Sequence, residues 1–253
     1  MNETLNLFSP ELLILIAITA VFAGMVKGIV GFAMPMILIS GMTIFINPDL
    51  ALGILILPTL VTNGWQAGRQ GFAAAFRSIS DHRWFLGVGY AVLLITTQMV
   101  PWLSQSLFFL CLGILVVGFA SLMLRGWQPQ ARNGTTLMIG CALVAGAGGG
   151  ISGVWGPPTV MYLSMHNLEK QAQMRAQGVI YGLGAILLLM GHIRSGIATP
   201  QALILGGFAI LPACLGIWIG FKIQDRINQN MFRIITLIVL IVFGLNLMRR
   251  GLV

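Results

Sequence analysis

The sequence predicts an all-α polytopic membrane protein, with about eight to ten membrane segments in two inverted-topology repeats of Gly- and Pro-broken helices. Three observations predict it. Of 253 residues, 57% are hydrophobic and 8% charged, against about 25% charged in soluble domains, and the mean hydropathy is +0.93. Apolar runs follow one another along the whole chain with only short polar punctuation. Glycine and proline signatures recur at a near-constant offset. A disordered chain or a nucleic-acid-binding domain needs dense solvated charge, so both are excluded. The length leaves no stretch for a soluble catalytic domain.

The first element is an N-terminal tail, 1–11, which carries Glu3 and no basic region ahead of the first apolar run. A secretory signal is therefore not expected, and the first run should remain as a membrane segment. Ten apolar runs follow, at 12–30, 31–46, 50–68, 84–100, 107–124, 135–153, 154–165, 177–190, 202–221 and 231–247. Asn47-Pro48-Asp49, Gly126-Trp127-Gln128-Pro129 and Thr199-Pro200 punctuate them. The second and seventh are short for a full crossing and read as half-helices, re-entrant segments or helices broken at the preceding glycines.

The runs divide into two halves, 12–125 and 135–253, joined by a polar linker at 126–134. Gly24, Gly28, Gly31 and Pro35 recur 122 residues on as Gly146, Gly150, Gly153 and Pro157. Arg69 and Gly71 recur 125 residues on as Arg194 and Gly196, and Gln105, Phe108, Ile114 and Phe119 recur 124 residues on as Gln229, Phe232, Ile238 and Phe243. With the N-terminus outside and every run crossing, 11 of the 14 basic residues fall in inside loops, as the positive-inside rule expects. Arg249 and Arg250 are the misfit. An odd number of crossings per half inverts the second against the first. Inverted repeats with Gly- and Pro-interrupted segments at matching positions are the sequence mark of a secondary transporter, with its site where the halves meet.

Each half opens with a motif that can carry chemistry: Gly24-x-x-x-Gly28-x-x-Gly31 followed by Pro35, and Gly146-x-x-x-Gly150-x-x-Gly153 followed by Pro157 and Pro158. Glycine lets the backbone leave the helical ladder, and proline is tolerated in the first turn of the next helix. The product is a helix N-terminus inside the protein, which favours an anion. Close helix packing explains the Gly24-Gly28 and Gly146-Gly150 spacings equally well. For a repeated pair with prolines, the anion cradle is the preferred reading, with main-chain N–H groups near 31–35 and 153–159, including Thr159, as donors.

Lys27 is the charge most deeply embedded in apolar sequence. Such residues are paired or functional, although one near a helix end also snorkels to the interface. Asn63, Gln66 and Arg69 share one helical face, with Asn63 placed to hydrogen-bond a substrate or a neighbouring helix and the other two placed for headgroups. Arg175 and Gln177 open the eighth run; a guanidinium suits a bidentate oxyanion and equally serves as a positive-inside anchor. Tyr181 reads as packing. His82, His166 and His192 lie near loop ends without partners at metal-ligand spacing, and Cys111, Cys141 and Cys214 stand alone, so neither metal nor disulfide is expected. No carboxylate sits mid-span, which removes the usual proton relay. No phosphate-binding Gly-x-x-x-x-Gly-Lys-Ser/Thr loop is present, so no nucleotide or other cofactor is implied.

One enzymatic reading remains. Gly150-Ile151-Ser152-Gly153 matches the Gly-x-Ser-Gly of rhomboid intramembrane serine proteases, with His192 downstream in apolar sequence. The first-half copy has Val30 where that serine stands, so the repeat accounts for the glycines. An anion channel is the other alternative.

The two glycine motifs, together with Gly156, Pro157 and the Met174-Arg175-Ala176 stretch, resemble the sulfite exporter TauE/SafE family of membrane permeases over nearly the whole chain. Lys27, Ala33 and Met34 depart from the glycine-rich positions common in the family's first motif. The resemblance implies transport, often export, of sulfite, sulfonates or other small sulfur-containing or organic oxyanions across a bacterial inner membrane. It implies a lipid bilayer and a small anion as partners, and is compatible with a homodimer. The expected substrate-binding residues are Lys27, Gly28, Gly31, Pro35, Asn63, Gly150, Ser152, Gly153, Pro157, Thr159, Arg175 and Gln177.

Overall fold

The computed structural model describes residues 9–99, 105–126, 134–153 and 155–252. Most of the N-terminal tail and of the linker at 126–134 therefore lies outside the described residues. So does the Ser152 side chain, although its backbone ends a helix. The described residues form eleven helices and no strand: α1 (Pro10–Val30), α2 (Met34–Met42), α3 (Pro48–Gly68), α4 (Phe72–Asp81), α5 (Arg83–Met99), α6 (Gln105–Leu124), α7 (Gly134–Ser152), α8 (Gly156–Ser164), α9 (Lys170–Ser195), α10 (Pro200–Arg226) and α11 (Gln229–Leu252). α1, α3, α9, α10 and α11 are long and apolar enough to cross a membrane, and α5, α6 and α7 are shorter apolar helices. In hydrocarbon each backbone N–H and C=O must be paired within the protein, which a helix does by itself.

Three helices start alike. Ser9, Asn47 and Thr199 accept through their side chains from the amides of Leu12, Leu50 and Ala202, and a proline follows each cap. The cap satisfies one orphan amide and the proline has none to orphan. These helices, α1, α3 and α10, begin at one end of the bundle: a Cβ on Gly53 of α3 would lie 2.6 Å from Ala202 near the start of α10. At the other end Arg69 pairs with Asp225, Lys170 donates to the carbonyls of Gln224 (3.0 Å) and Ile227, and Gln70 donates to the Gln171 carbonyl at 2.8 Å. This second end carries Arg77 of α4, Lys170 and Arg175 of α9, and Lys222 and Arg226 of α10, and is called the basic end below.

Small residues set the distances between helices. A Cβ on Gly24 or Gly28 would press into the Ala213 or Ile217 carbonyl of α10, and one on Gly216 or Gly220 into α1. α7 meets α5 in the same manner, with Gly146 against the Gly89 carbonyl and Gly150 against Leu93 and Thr96. Without a hydrophobic force between helices in lipid, such close backbone approach is the main source of association. The packing reading of Gly28 and Gly150 therefore accounts for both glycines, and neither is among the residues that line the cavity beside Lys27. α3 and α9 cross antiparallel, with Asn63 beside Gly182 and Ala67 beside Gly178, and α6 and α11 likewise, with Gly113 beside Gly244 and Leu110 beside Gly251.

The structure refines the apolar runs at three points. The second and seventh runs resolve into nine-residue helices, α2 and α8, each following a break. Between the third and fourth runs stands α4, which hydrophobicity alone does not mark. It is amphipathic, with Phe72 and Phe76 exposed and Ser78 turned inward, as befits a helix lying along a membrane interface. The eighth helix-forming run also begins earlier than its apolar stretch, at Lys170, so Arg175 and Gln177 lie within α9 rather than at its opening.

Backbone contact makes a direct prediction. Gly24→Ala places a methyl against the Ala213 carbonyl and should lower the melting temperature of purified protein, by an amount typical of overpacking, about 1–3 kcal/mol. Gly207→Ala, which meets open space, should leave it unchanged or raise it. Scanning fluorimetry in detergent checks both, and equal effects at the two sites would contradict this packing account.

Candidate functional site

α1 ends because Gly31 adopts φ +88 and its amide bonds back to the Lys27 carbonyl at 2.6 Å. Ala33 follows at φ +80 and starts α2, with Pro35 in its first turn. Left-handed φ is cheap for glycine and costs alanine roughly 1 kcal/mol or more, so this turn is held by its surroundings. In the second motif Gly153, at φ +70, ends α7, and Gly156, Pro157 and Pro158 start α8. The two breaks meet: Phe32 packs on Gly156, where a Cβ would be 3.1 Å away.

A small cavity lies between them, lined by Lys27, Phe32, Ala33, Pro35, Met36, Thr59, Asn63, Gly153, Trp155, Gly156 and Tyr181. Its free volume of about 20 Å³ takes roughly one water. An apolar extension sharing Pro35, Thr59, Gly153 and Trp155 continues past Leu52, Leu55 and Leu188 to His192, away from the basic end.

Lys27 is 1% exposed. Its Nζ donates to Asn63 Oδ1, and the ion pair found among the described residues is Arg69–Asp225, so no carboxylate compensates it there. It does not snorkel. Gln66, buried rather than at headgroup level, donates through Nε2 to the Gly31 carbonyl (3.0 Å) and to the Met174 carbonyl (2.8 Å), tying the first break to α9. Gln177 is fully buried against Gly31, where any Cβ would overlap its Oε1. Thr59 Oγ1, Asn63 Nδ2, Gln66 Oε1 and both polar atoms of Gln177 are buried without a hydrogen-bond partner. Each such atom costs about 1–3 kcal/mol; those of Thr59 and Asn63 belong to the lining of the Lys27 cavity, while Gln66 and Gln177 lie outside that lining, beside Gly31.

The structure brings together Lys27, Gly31, Pro35, Asn63, Gly153 and Gln177 of the expected residues, with Thr159 and Pro157 behind them. Thr159 bonds the Trp155 carbonyl through both its amide and its hydroxyl. Pro157 and Pro158 have no amide hydrogen. The second break therefore offers the Gly156 amide alone, and the first offers Met34 and Met36, so the main-chain cradle is thinner than the motif suggests. Arg175 does not reach the cavity. It donates through Nε to Ser78 Oγ at 3.0 Å and through Nη1 to Gln70, fastening α9 to α4 at the basic end. Tyr181 does line the cavity, donating to the Gly156 carbonyl at 3.2 Å. Sequence reasoning missed Thr59, whose spacing of four and seven residues from Asn63 and Gln66 puts all three on one face. It also missed the aromatic walls, Phe32 and Trp155.

With this geometry in view, the comparisons decide the family. The family model described as Sulfite exporter TauE/SafE matches residues 16–247. The chain belongs to the sulfite exporter TauE/SafE family. No curated protein and no solved structure matches it. The family is one of membrane transporters for sulfur-containing anions, so this TauE/SafE member is a multi-pass membrane transporter and not, at that level, an enzyme. Among its described residues no group of three metal-ligating side chains occurs.

Beside the site, the loop histidines of this TauE/SafE protein are packed. His82 Nδ1 shares a hydrogen bond with Tyr162 Oη at 2.8 Å, and its ring meets that of His166 edge-on. Burial first, then His166 and Arg175, pull the His82 imidazole down to about 4, with Asp81 opposing. The unfolded ring titrates near 6.5, so the unfolded chain takes up the proton first. Stability from neutral His82 is complete above pH about 6.5 and is lost as pH falls toward 4.

Two predictions follow from this geometry. Thermal stability of wild-type protein should fall between pH 6.5 and 4.5, and His82→Gln should flatten that fall; an unchanged slope would contradict the burial of this ring. Gly31→Ala, which meets Gln177 at left-handed φ, should abolish activity in liposomes or folding altogether. Gly153→Ala has open space and carries only the backbone strain, so it should retain a measurable rate.

Proposed function

We propose that this protein is a secondary transporter for a small sulfur-containing oxyanion, sulfite or a sulfonate, working by alternating access around the Lys27 cavity. The observation that carries the reading is a buried lysine without a carboxylate partner among the described residues, with the unpaired Thr59 Oγ1 and Asn63 Nδ2 beside it at the meeting of two helix breaks. An oxyanion compensates the protonated lysine, and its oxygens accept from Asn63 Nδ2, Thr59 Oγ1 and the Met36 amide, all of residues that line the cavity. The cavity's small volume supports reading this conformation as an occluded one. Phe32 and Trp155 must shift for an anion to enter, and they sit next to the two breaks, where the backbone can hinge.

The same reading takes the chain as two inverted repeats, 12–125 and 135–253. Its support is that partners repeat as well as motifs. Gly24 and Gly28 meet residues 213 and 217, Gly146 and Gly150 meet residues 89 and 93, and the partners differ by 124 in both cases. The antiparallel crossings of α3 with α9 and of α6 with α11 are what inversion requires of equivalent helices. The positive-inside rule puts the basic end inward. In a bacterial inner membrane that orientation suits export, with a weak-acid anion carrying its own proton in place of a carboxylate relay.

Flux of purified protein in proteoliposomes tests the function, with sulfite, sulfoacetate, taurine and a carboxylate as substrates. One sulfur oxyanion should show saturable flux. Lys27→Gln should lower kcat/KM about 100-fold, as loss of a charged hydrogen bond costs about 1.5–3 kcal/mol, while Ser152→Ala should at most weaken it. Absence of flux for every anion under both proton-gradient directions, or unsaturable conductance, would overturn the carrier reading.

A further inference from the structure

At the basic end a second cavity of about 200 Å³ opens between the ends of α6 and α8 and the starts of α9 and α11. It is far roomier than the Lys27 cavity, and its lining is polar in a particular way. Arg233 contributes the cation and Asn167, Gln173 and Asn230 contribute neutral amides, with no acidic side chain among the residues that line it. Arg233 has no acidic partner among the described residues. Its positive field is therefore uncompensated, and the first turn of the 24-residue α11 points the positive end of a helix dipole at the same space.

The independent observation is Thr236, one turn further along α11. It is 3% exposed, it lines the cavity, and its Oγ1 has no hydrogen-bond partner. Threonines inside helices ordinarily return their hydroxyl to the carbonyl four residues back, and Thr19, Thr43, Thr62, Thr96 and Thr159 all do so here. Thr59 and Thr236 are buried helix threonines without a partner, and both line cavities, Thr59 beside Lys27 and Thr236 beside Arg233. A buried hydroxyl that gives up its local acceptor, one turn from a half-buried guanidinium, awaits an external one.

We infer that the Arg233–Thr236 cavity is a second oxyanion-binding site, separate from the Lys27 site, where the guanidinium and the hydroxyl hold the anion and Gln173 and Asn230 complete its shell. Resting on the transport reading, it acts as an antechamber that concentrates substrate at the basic end before it passes to the central cavity. A sulfur oxyanion and the phosphate of a lipid headgroup share this chemistry, and the test separates them.

Lys27→Gln removes the central cation and isolates the second site. Thermal unfolding of this variant in lipid-free detergent, with sulfite titrated against chloride at constant ionic strength, should still show a saturable upward shift. Adding Arg233→Gln should abolish the shift, Arg233→Lys should restore part of it, and Thr236→Val should weaken it. A shift given by phosphatidylglycerol and not by sulfite, still dependent on Arg233, would retain the oxyanion site and overturn its antechamber role. No shift with either probe, or a shift that survives Arg233→Gln, would overturn the site. In proteoliposomes, Arg233→Gln in the otherwise wild-type protein should raise the KM for anion presented at the basic end about tenfold and leave kcat within twofold. If wild-type protein carries no sulfite while the Lys27→Gln shift persists, the transport reading fails and this site stands. If wild-type flux is robust and neither KM nor the shift depends on Arg233, this site fails alone.

Discussion

An amine taken out of water without a carboxylate to meet it is expensive in a membrane interior, and much of the central architecture is arranged around that one group. Lys27 lies a single turn before the point where α1 breaks. Gly31 can take its left-handed φ because it lacks a side chain, and the vacated space is filled by Gln177. Gln66 holds the broken end to α9 through two carbonyls, and Asn63 accepts from the lysine. The helices carrying these side chains, α3 and α9, cross where Gly178 and Gly182 admit close approach. Packing, capping and polar placement thus converge on a charge that the described protein residues leave uncompensated.

The distribution of cavities follows from the same arrangement. The central space is narrow, walled by Phe32, Met36 and Trp155, and it extends as an apolar neck away from the basic end. Toward the basic end the open volume is wider and polar, beside Arg233. The Arg233 cavity shares no lining residue with the central one, so the two are separate spaces in this structure. The short helices α2 and α8 each have nine residues, each begins at a non-helical joint, and both are packed into the core.

Much of this was legible in the sequence, for reasons that can be named. Composition excludes a soluble surface, and glycine with proline at fixed spacing marks the two broken helices. Lys27 and Asn63 stand out because polar residues in apolar runs are costly. Other features were hidden. The Gly-x-x-x-Gly spacing cannot separate a ligand cradle from helix packing, since both need a missing side chain; Gly28 and Gly150 turned out to pack. Arg175 carries the right chemistry for an oxyanion, but it lies two residues from Gln177, about 200° around the helix, and meets Gln70 and Ser78 instead. α4 escaped notice because an interfacial helix of ten residues has too little net hydrophobicity to register. Pro157 and Pro158 mark the start of α8 while removing the amides that a helix N-terminus would otherwise present.

The claim on which the account depends is that Lys27 binds the transported anion. Crystals of the protein grown with selenite, a heavier analogue of sulfite, test it through the anomalous signal of selenium in unlabelled protein. The account predicts a peak within hydrogen-bonding reach of Lys27 Nζ, between Gly31 and Gly156, that disappears in Lys27→Gln. Ordered crystals with selenite bound elsewhere and none beside Lys27 would contradict it.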